Sequence, residues 1–418
     1  MFKYKFSYII LALISFVFIK NANAQLSKKH FIPPLTYAET GNANPENQYF
    51  YISTPSTQNV SFTIKQIGQT GNDITGIVSS NSPQEIQIGN GDTQLFVDSR
   101  VTSVVHSDKG YIIEADDVIY VSIRVLAGGG AQAGALVSKG SSALGTTFRA
   151  GMFTNENPQT NYLNFISVMA TEDNTSVNFD DLPTGILIKN YTGSLPITNI
   201  ILNEGESYVV ATNAAENTTN RDGLIGALIT SDKPIVVNAG SANGSFHNGG
   251  GRDYGIDQIV GIDKLIIKGQ TGNDYIFVKG DGSNGWENVL IVAHEDGTSV
   301  RINGNTNLAT TLDAGEHYLI EGASFNSNGN LFVQTSKPAF AYQGIGANKT
   351  FYPNSSINIF NRFGKLVAQV PIDSQGWNGS YNGKTLPSDD YWFNIQLIPA
   401  DTSKSPINKK GHFSLLRR

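Results

Sequence analysis

Residues able to carry out chemistry gather most densely at positions 244–257, where a glycine-rich stretch holds His247, Arg252, Asp253 and Asp257. An imidazole beside a carboxylate can act in acid–base catalysis, carboxylates can bind calcium, and all four side chains can contact a ligand. However, three consecutive glycines position catalytic groups poorly, and no Ser-His-Asp or zinc-ligand spacing accompanies them. A long surface loop is the preferred interpretation, and ligand or partner contact is favoured over metal binding or catalysis.

Two Glu-Asp pairs, at residues 172–173 and 295–296, also resemble catalytic acids. Each pair is followed by Asn or Gly and then Thr, and Asp-Asn and Asp-Gly suit turns that need a positive φ. Because the pairs hold equivalent positions in two copies of one block, turn chemistry is the preferred interpretation. The Gly-Glu pairs at 205–206 and 315–316 are likewise predicted to form turns.

The composition excludes every kind of site that depends on a thiol. The chain has no cysteine, which excludes disulfides, thiolate metal sites, a thiol nucleophile and a lipid-modified cysteine anchor. Residues 281–287 resemble a calcium loop, but they lack the alternating ligands and the final Glu of an EF-hand. A turn between strands is predicted there, and no metal or cofactor is expected.

The first residues have the features of an export signal. Lys3 and Lys5 precede an apolar run at residues 6–19, and the small-x-small pattern at 22–24 is a signal-peptidase site. Residues 1–24 are therefore predicted to be a signal peptide. No later segment is long and apolar enough to span a membrane, so no transmembrane segment is expected.

Removing the leader leaves 26 Lys and Arg residues against 35 Asp and Glu residues, a net charge of −9. A surface with this overall charge repels phosphate backbones and anionic headgroups, which disfavours nucleic-acid and peripheral-membrane roles.

The fold class follows from composition and alternation. The 43 glycines and the low charge content favour short strands joined by tight turns. Every second residue is apolar at 60–64 and again at 119–125, which is typical of strands with one face in a core. An all-β protein is predicted.

Whole blocks of sequence recur. Residues 166–177 return as 290–300, residues 202–210 as 312–320, and residues 228–237 as 333–341. The offsets shrink from 123 to 110 and then to about 104, so loop lengths differ while the strands persist. In a fainter copy, residues 57–62 match 174–179 and residues 111–121 match the 228–237 block, for which a hairpin is predicted. Three related sandwich-like β units are expected, at about 31–150, 151–265 and 266–346.

Three stretches resemble one family. Residues 162–177, the Ser-Asp-Lys-Pro-Ile hairpin at 231–235, and residues 253–260 are similar to the bacterial branch of the IgGFc-binding protein N-terminal domain family. The resemblance covers most of residues 31–346. It implies a secreted binding or adhesive module within a β domain at 25–346, and does not imply that immunoglobulin is bound.

The tail resembles a second family. Blocks at residues 356–367, 376–383, 386–393 and 410–417 are similar, in order, to the type B C-terminal sorting domain of type IX secretion cargo, also called gliding-motility-associated. The positions that carry the resemblance are Phe360, Asn361, Arg362, Gly364, Trp377, Gly379, Gly383, Leu386, Pro387, Tyr391 and Gly411. The resemblance implies a Gram-negative source of the Bacteroidetes group and a small β-sandwich sorting domain at 351–418.

The residues of the tail agree with a small sandwich. Residues 357–362 and 391–397 are predicted strands, 361–364 and 382–383 are predicted turns, and Trp377 is expected to cover the core. The opening segment and first strand that such sorting domains usually have are missing, so a shortened domain is expected.

Together these features predict an exported, non-enzymatic binding protein of the cell surface or surroundings, adhesive in function, with recognition carried by loops on a rigid scaffold. The expected partners are the type IX secretion machinery and an unidentified extracellular protein or glycan. Two alternatives stay open. One is a secreted hydrolase acting on glycans, with Asp253 or Asp257 as acid or base, and the other is a passive structural component of the surface.

Overall fold

The computed structural model describes residues 26–39, 43–129, 132–246, 252–262, 273–280, 284–344, 356–371, 379–381, 383–387, 389–398 and 407–415. These residues are mainly β-strands, which confirms the predicted all-β class. Helical segments among them include Thr218–Asp222 and three short 3-10 turns, Ser99–Val101, Gly140–Ala143 and Gly322–Ser324. The predicted signal peptide, His247 and Trp377 lie outside the described residues.

The first set of strands is organised around one long strand. The strands are β1 Ser27–Ile32, β2 Leu35–Tyr37, β3 Pro45–Ser53, β4 Val60–Gln66, β5 Ile74–Val78, β6 Gln84–Asn90, β7 Phe96–Asp98, β8 Val105–His106, β9 Tyr111–Ala127 and β10 Gln132–Ser138. The first half of β9 pairs with β1 and β4, and its second half pairs with β3 and β10. The sheet follows the order β5-β4-β9-β3-β6, while β2 and β7 form a separate parallel pair.

The two halves of this sheet face each other across a core. Phe50 of β3 meets Tyr111 of β9 edge to face, with ring centroids 5.1 Å apart. Val60, Phe62 and Ile64, which alternate along β4, are all buried in the same cluster. The alternation at 60–64 and at 119–125 therefore predicted two real strands with correctly assigned faces.

The second set repeats this plan. Its strands are β11 Gly145–Arg149, β12 Leu163–Ala170, β13 Thr175–Asp180, β14 Ile197–Leu202, β15 Ser207–Asn213, β16 Leu228–Gly244 and β17 Asp253–Ile259. The first half of β16 pairs with β11 and β13, and its second half pairs with β12 and β17. The sheet order β14-β13-β16-β12-β15 matches the order in the first set, with β8 added beside β15.

The third set has the same connections in two separate sheets. Its strands are β18 Asn273–Val278, β19 Val289–Ala293, β20 Thr298–Ile302, β21 Thr310–Leu312, β22 His317–Ile320, β23 Asn330–Thr335 and β24 Ala339–Gln343. The sheet orders are β18-β23-β20-β21 and β22-β19-β24. The register recurs as well, since Thr175 faces Leu202 and Thr298 faces Leu312. The pairing scheme therefore occurs three times, and the unit boundaries at 150, 265 and 346 stay a prediction.

One local prediction was wrong. Residues 231–235 were expected to form a hairpin, yet they lie inside β16, a single strand of 17 residues. The segment marks the place where β16 changes partners, because Ser231 is the last residue paired with β13 and Ile235 the first paired with β12. A proline is tolerated at such a step, where the ladder needs no N–H at that position.

The chain divides into two compact units. The first is residues 1–276, 289–320 and 332–342, and the second is residues 277–288, 321–331 and 343–418. The last strands, all in the second unit, are β25 Ser356–Phe360, β26 Leu366–Pro371, β27 Ser380–Tyr381, β28 Lys384–Thr385, β29 Asp389–Leu397 and β30 Ile407–Leu415. They form a β26-β25-β29-β30 sheet and a β27-β28 pair. The predicted strand at 391–397 is thus confirmed within β29, and the one at 357–362 is confirmed for residues 357–360 only, because β25 ends at Phe360.

Candidate functional site

The predicted loop candidates lie on a strand. Asp253 and Asp257 belong to β17, and Arg252 immediately precedes it, so the interpretation of this part of 244–257 as a long surface loop was wrong. Strand β17 pairs with the second half of β16 and runs beside β10 of the first set. The structure therefore places these carboxylates between two sets of strands.

The two carboxylates of β17 each have a structural partner. Asp253 Oδ1 accepts a hydrogen bond from the backbone N–H of Ala133 at 2.8 Å, and burial raises the pKa of this carboxyl group. Both carboxylate oxygens of Asp257 accept a hydrogen bond from Lys139 Nζ, Oδ1 at 2.9 Å and Oδ2 at 2.8 Å. Four residues of a strand span about 13 Å, whereas glycosidase carboxyl pairs stand about 5–9.5 Å apart. The geometry does not bring Asp253 and Asp257 together as an acid–base pair.

The other residues of β17 fix the strand in place. The Tyr254 ring is buried in the main core, with its centroid 6.3 Å from that of Phe96. A Cβ at Gly255 would stand 2.1 Å from the Phe153 ring, so only glycine allows this approach. Residues 253–260, one of the three stretches that resemble the IgGFc-binding family, therefore include a strand, β17, whose side chains hold neighbouring strands together.

A buried polar network extends this junction. The Gln258 carboxamide accepts from the Lys139 N–H at 2.7 Å and donates to Phe31 O at 3.1 Å and Asn238 Oδ1 at 3.3 Å. Ser138 Oγ lies 3.1 Å from Gln258 Oε1 and 2.9 Å from His30 Nδ1. The network thus connects β1, β10, β16 and β17.

His30 is fully buried in this network. Its Nε2 faces two backbone carbonyls, those of Ser27 and Ile119, so Nε2 carries the proton of the neutral ring. Burial lowers the pKa of His30 to about 4. Sequence reasoning missed this network. The available signal was a set of polar residues inside apolar runs, such as Asn238 within 235–239.

The suspected Glu-Asp pairs form turns, as predicted. Asn174 and Gly297 have φ values of 53° and 67°, so both turns reach the left-handed region. Thr175 Oγ1 donates to the carbonyl of residue 172 at 2.7 Å, and Thr298 Oγ1 donates to that of residue 295 at 2.7 Å. Because the bonds recur in both copies, these acids belong to the scaffold.

The Gly-Glu turns repeat with the same fidelity. Gly205 and Gly315 both have a φ of 83°. Glu206 Oε2 accepts from the backbone N–H of residue 203 at 2.8 Å, and Glu316 Oε2 accepts from that of residue 313 at 2.8 Å. The predicted turn role of these pairs is confirmed.

A cleft of about 330 Å³ opens elsewhere in the first unit. Its polar lining is Glu39, Ser99, Thr160, Asn161, Lys189 and Asn213. Lys189 Nζ donates to Glu39 Oε1 at 2.7 Å, and Ser99 Oγ lies 3.3 Å from the same oxygen. The hydrogen bond from Lys189 is the largest cause that lowers the pKa of Glu39. The cleft thus presents a carboxylate, an ammonium, hydroxyls and amides.

Two loops frame this cleft. Thr102 and Ser103 donate from their hydroxyls to the Lys189 carbonyl, at 3.2 Å and 2.8 Å, and Asn190 Nδ2 donates to Ser99 O at 2.8 Å. Val101, Val104 and Leu187, on these same loops, are each about half exposed. No sequence pattern pointed to this cleft, because its lining comes from segments between residues 38 and 213.

The tail landmarks fall on turns and on the small core. Asn361 Oδ1 accepts from the backbone N–H groups of Phe363 and Lys365, both at 3.0 Å, and Gly364 has a φ of 76°. The Arg362 guanidinium lies 5.0 Å from the centroid of the Phe363 ring. The predicted turn at 361–364 is therefore confirmed, while Phe360 ends β25.

The remaining tail landmarks lie near the β27-β28 pair and in the four-stranded sheet. Gly379 and Gly383 have φ values of 72° and 73°, on either side of β27. Leu386 packs against the cluster that contains Tyr391, and the Tyr391 hydroxyl donates to Pro387 O at 3.0 Å. Gly411 of β30 faces Phe393 in the ladder. These residues thus belong to turns, to the small core or to the strand ladder, and their role in sorting stays a prediction.

Two further properties of the described residues concern metal binding and membrane crossing. Among those residues, no group of three or more His, Cys, Asp or Glu side chains is arranged to hold a metal ion. No helix within the same ranges has the length and apolar character needed to cross a membrane.

Comparison with known proteins gives a match to a protein family. A profile of the family described as IgGFc binding protein matches residues 133–402, which is more than half of the chain. A structural comparison aligned a solved "Biofilm associated protein - BSP domain" at 9% identity and a TM-score of 0.16, over 94% of this chain and 96% of that one. A score this low does not indicate a shared fold. No curated protein matches the sequence.

The family match begins near the start of β10, includes the second and third sets of strands, and extends past residue 346 into the C-terminal sheet. The resemblance was expected to cover most of residues 31–346, so the matched range starts and ends later than expected. The family itself is confirmed. This chain belongs to the IgGFc binding protein family.

Proposed function

We propose that this chain is an exported adhesive protein of the cell surface or surroundings that binds a glycan in the cleft beside Lys189 and Glu39. The observation that carries the proposal is the polar lining of that cleft. Family membership supports a binding role, and the volume lies near the lower end of the range for ligand sites, about 300–1,000 Å³.

The chemistry of the lining favours a hydroxyl-rich ligand. A sugar hydroxyl both donates and accepts, so it pairs well with a carboxylate and an ammonium held side by side. Lys189 and Glu39 are such a pair, and the buried Ser99 hydroxyl helps to orient the carboxylate. Hydrogen bonds between the framing loops hold these groups in place before a ligand arrives, which lowers the cost of binding.

A glycan array probed with the mature chain tests the proposal, with affinity then measured by calorimetry. Lys189→Gln should weaken binding about 10-fold to 100-fold, because one charge-assisted hydrogen bond contributes about 1.5–3 kcal/mol. Lys65→Gln is the matched control, since Lys65 forms an ion pair with Glu114 outside the cleft. Equal losses in both variants would contradict the proposed site. An empty array would favour the passive structural alternative.

Two further probes separate other possibilities. Immunoglobulin Fc printed on the same array tests the activity that the family name records. Incubation of the mature chain with polysaccharides and model esters tests for hydrolysis. Turnover that disappears in Asp253→Ala and Asp257→Ala variants would replace the binding function with an enzymatic one.

We also propose that the chain is a type IX secretion cargo, exported first through its leader and then through residues 351–418. The four ordered sequence blocks of the tail support this route. Deletion of 351–418 should leave the chain in the periplasm of a competent host, as should the intact chain in a host whose type IX system is disabled. Release of the deleted chain into the medium would contradict the proposed route.

A further inference from the structure

The C-terminal sheet has an apolar row on its outer face. Phe360 of β25 is paired with Leu366 of β26 on one side and with Trp392 of β29 on the other. Leu366 is 45% exposed and Trp392 is 42% exposed. The small core lies on the opposite face, where Ile359 and Val367 are buried. Large apolar side chains therefore stand in a line on the face of the sheet opposite that core.

The turn at one end of this row adds an exposed aromatic ring. Phe363 is 80% exposed, the highest value among the exposed large apolar residues described. The flanking residues Arg362 and Lys365 are exposed as well. Arg362 lies over the Phe363 ring, and the Lys365 ammonium lies 4.6 Å from the centroid of the Tyr381 ring. One exposed ring and two cations thus occupy the turn between β25 and β26, while Tyr381 lies on β27.

The charge of this segment is opposite to that of the rest of the chain. Residues 351–418 contain 8 Lys and Arg residues against 4 Asp and Glu residues, a net charge of +4, although the whole chain has a net charge of −6. The overall charge predicts repulsion from anionic surfaces, but Coulomb forces are screened beyond about 10 Å. The local surface, which includes the exposed Lys410 on β30, decides which partner can approach.

We propose that the outer face of the β26-β25-β29-β30 sheet binds an anionic lipid surface. In this arrangement the amphipathic Trp392 ring enters the headgroup region, where such rings are favoured, and the apolar Phe363 ring inserts at the same surface. Arg362, Lys365 and Lys410 meet lipid phosphates. This inference depends neither on the cleft nor on the secretion route, because it concerns the mature chain and a bilayer alone.

The size of the effect follows from the residues involved. A basic residue near an anionic membrane contributes about 1 kcal/mol, which is about fivefold in partitioning. Replacing Arg362 and Lys365 together should therefore lower partitioning by more than tenfold. Phe363→Ser should lower partitioning several-fold, because the ring, which is 80% exposed in the protein, would no longer be removed from water by the bilayer.

Co-sedimentation of the mature chain with vesicles tests the proposal. We expect binding to vesicles of phosphatidylcholine with phosphatidylglycerol, weaker binding to phosphatidylcholine alone, and a decrease with added salt. Arg362→Gln with Lys365→Gln, and separately Phe363→Ser, should reduce binding to the anionic vesicles. Circular dichroism of each variant checks that these exposed substitutions leave the fold intact.

Matched controls come from the acidic part of the chain. Lys28→Gln removes an exposed cation there, and Ile77→Ser removes an exposed apolar side chain. Both controls should bind as the parent protein does. Equal binding to neutral vesicles, no binding at all, or equal loss in the controls would overturn the proposal. Displacement by inorganic phosphate alone, or a dimer that disappears in Phe363→Ser, would overturn it in favour of a free anion or a second copy.

Discussion

Replacing Gln258 with Met removes the hydrogen bonds at the junction of β10, β16 and β17 while nearly preserving side-chain length. Gln258 is fully buried. Its carboxamide accepts a hydrogen bond from the Lys139 N–H and donates to the Phe31 carbonyl and to Asn238 Oδ1. A buried polar group without a partner costs about 1–3 kcal/mol. Ser138 Oγ, 3.1 Å from Gln258 Oε1, also loses this partner, so four groups are affected and, with partial relaxation, we expect a loss of about 3–5 kcal/mol. That loss is about a fifth or more of the stability of a typical domain, about 5–15 kcal/mol.

Urea unfolding followed by far-ultraviolet circular dichroism measures this loss. The three tryptophans stand at 286, 377 and 392, outside the compact unit that contains Gln258, so their fluorescence would report on the other unit. Gln87→Met is the matched control, because the exposed Gln87 has one hydrogen bond, to Asn47 at 3.0 Å. We expect the control to change the free energy of unfolding by about 0.5 kcal/mol or less.

The reasoning would be refuted if Gln258→Met and Gln87→Met destabilised the protein equally. Such a result would mean that the hydrogen bonds of Gln258 are not needed to hold β17 beside β10. A large loss for Gln258→Met together with an unchanged dependence on urea concentration would show that the native fold is kept and only its stability falls.

Two other predictions concern single residues. The pKa of His30 is about 4 in the folded protein and about 6.5 when unfolded, so the unfolded chain binds a proton first as the pH falls. Neutral His30 thus contributes about 3 kcal/mol to the free energy of unfolding above pH 6.5, and this contribution is lost as the pH falls from 6.5 to about 4. Urea unfolding at several pH values should show that slope, and its persistence in His30→Gln would contradict the assignment. Gly297 has a φ of 67°, and no atom lies within 4 Å of a Cβ added there. Gly297→Ala should therefore lower the free energy of unfolding, measured by thermal melting, by about 1 kcal/mol through backbone strain alone. Gly297→Asn should cost less, because Asn174 occupies the equivalent turn, and equal costs would contradict a backbone origin.

Local patterns were sufficient where one face of a strand meets a core. Val60, Phe62 and Ile64 alternate because β4 has one buried face, and a period of two needs only neighbouring residues to be read. The turns at 172–175 and 295–298 were also predictable, since Asn and Gly reach a positive φ by virtue of their own chemistry. The repeat could be found because equivalent strands share such local requirements.

The same patterns failed where a strand lies between two sheets. Along β17, Tyr254 enters the core, Asp257 pairs with Lys139, and Gln258 is buried in polar contacts. Apolar and polar residues do not alternate when both sides of a strand have protein neighbours, so the glycines and carboxylates suggested a loop. The hairpin prediction for residues 231–235 was wrong for a related reason. Their turn-like composition marks the place where one continuous strand, β16, changes its pairing partners.

The sequence by itself determined the all-β class, the repeated turns and the resemblance that the family match bears out. These properties depend on residues close together in the chain. Only the tertiary structure decided that β17 is a junction strand and that Lys189 meets Glu39 in a cleft. Lys189 and Glu39 are 150 residues apart, so no local period relates them. Contacts at such separations depend on how the strands pair and pack, which backbone propensity does not encode.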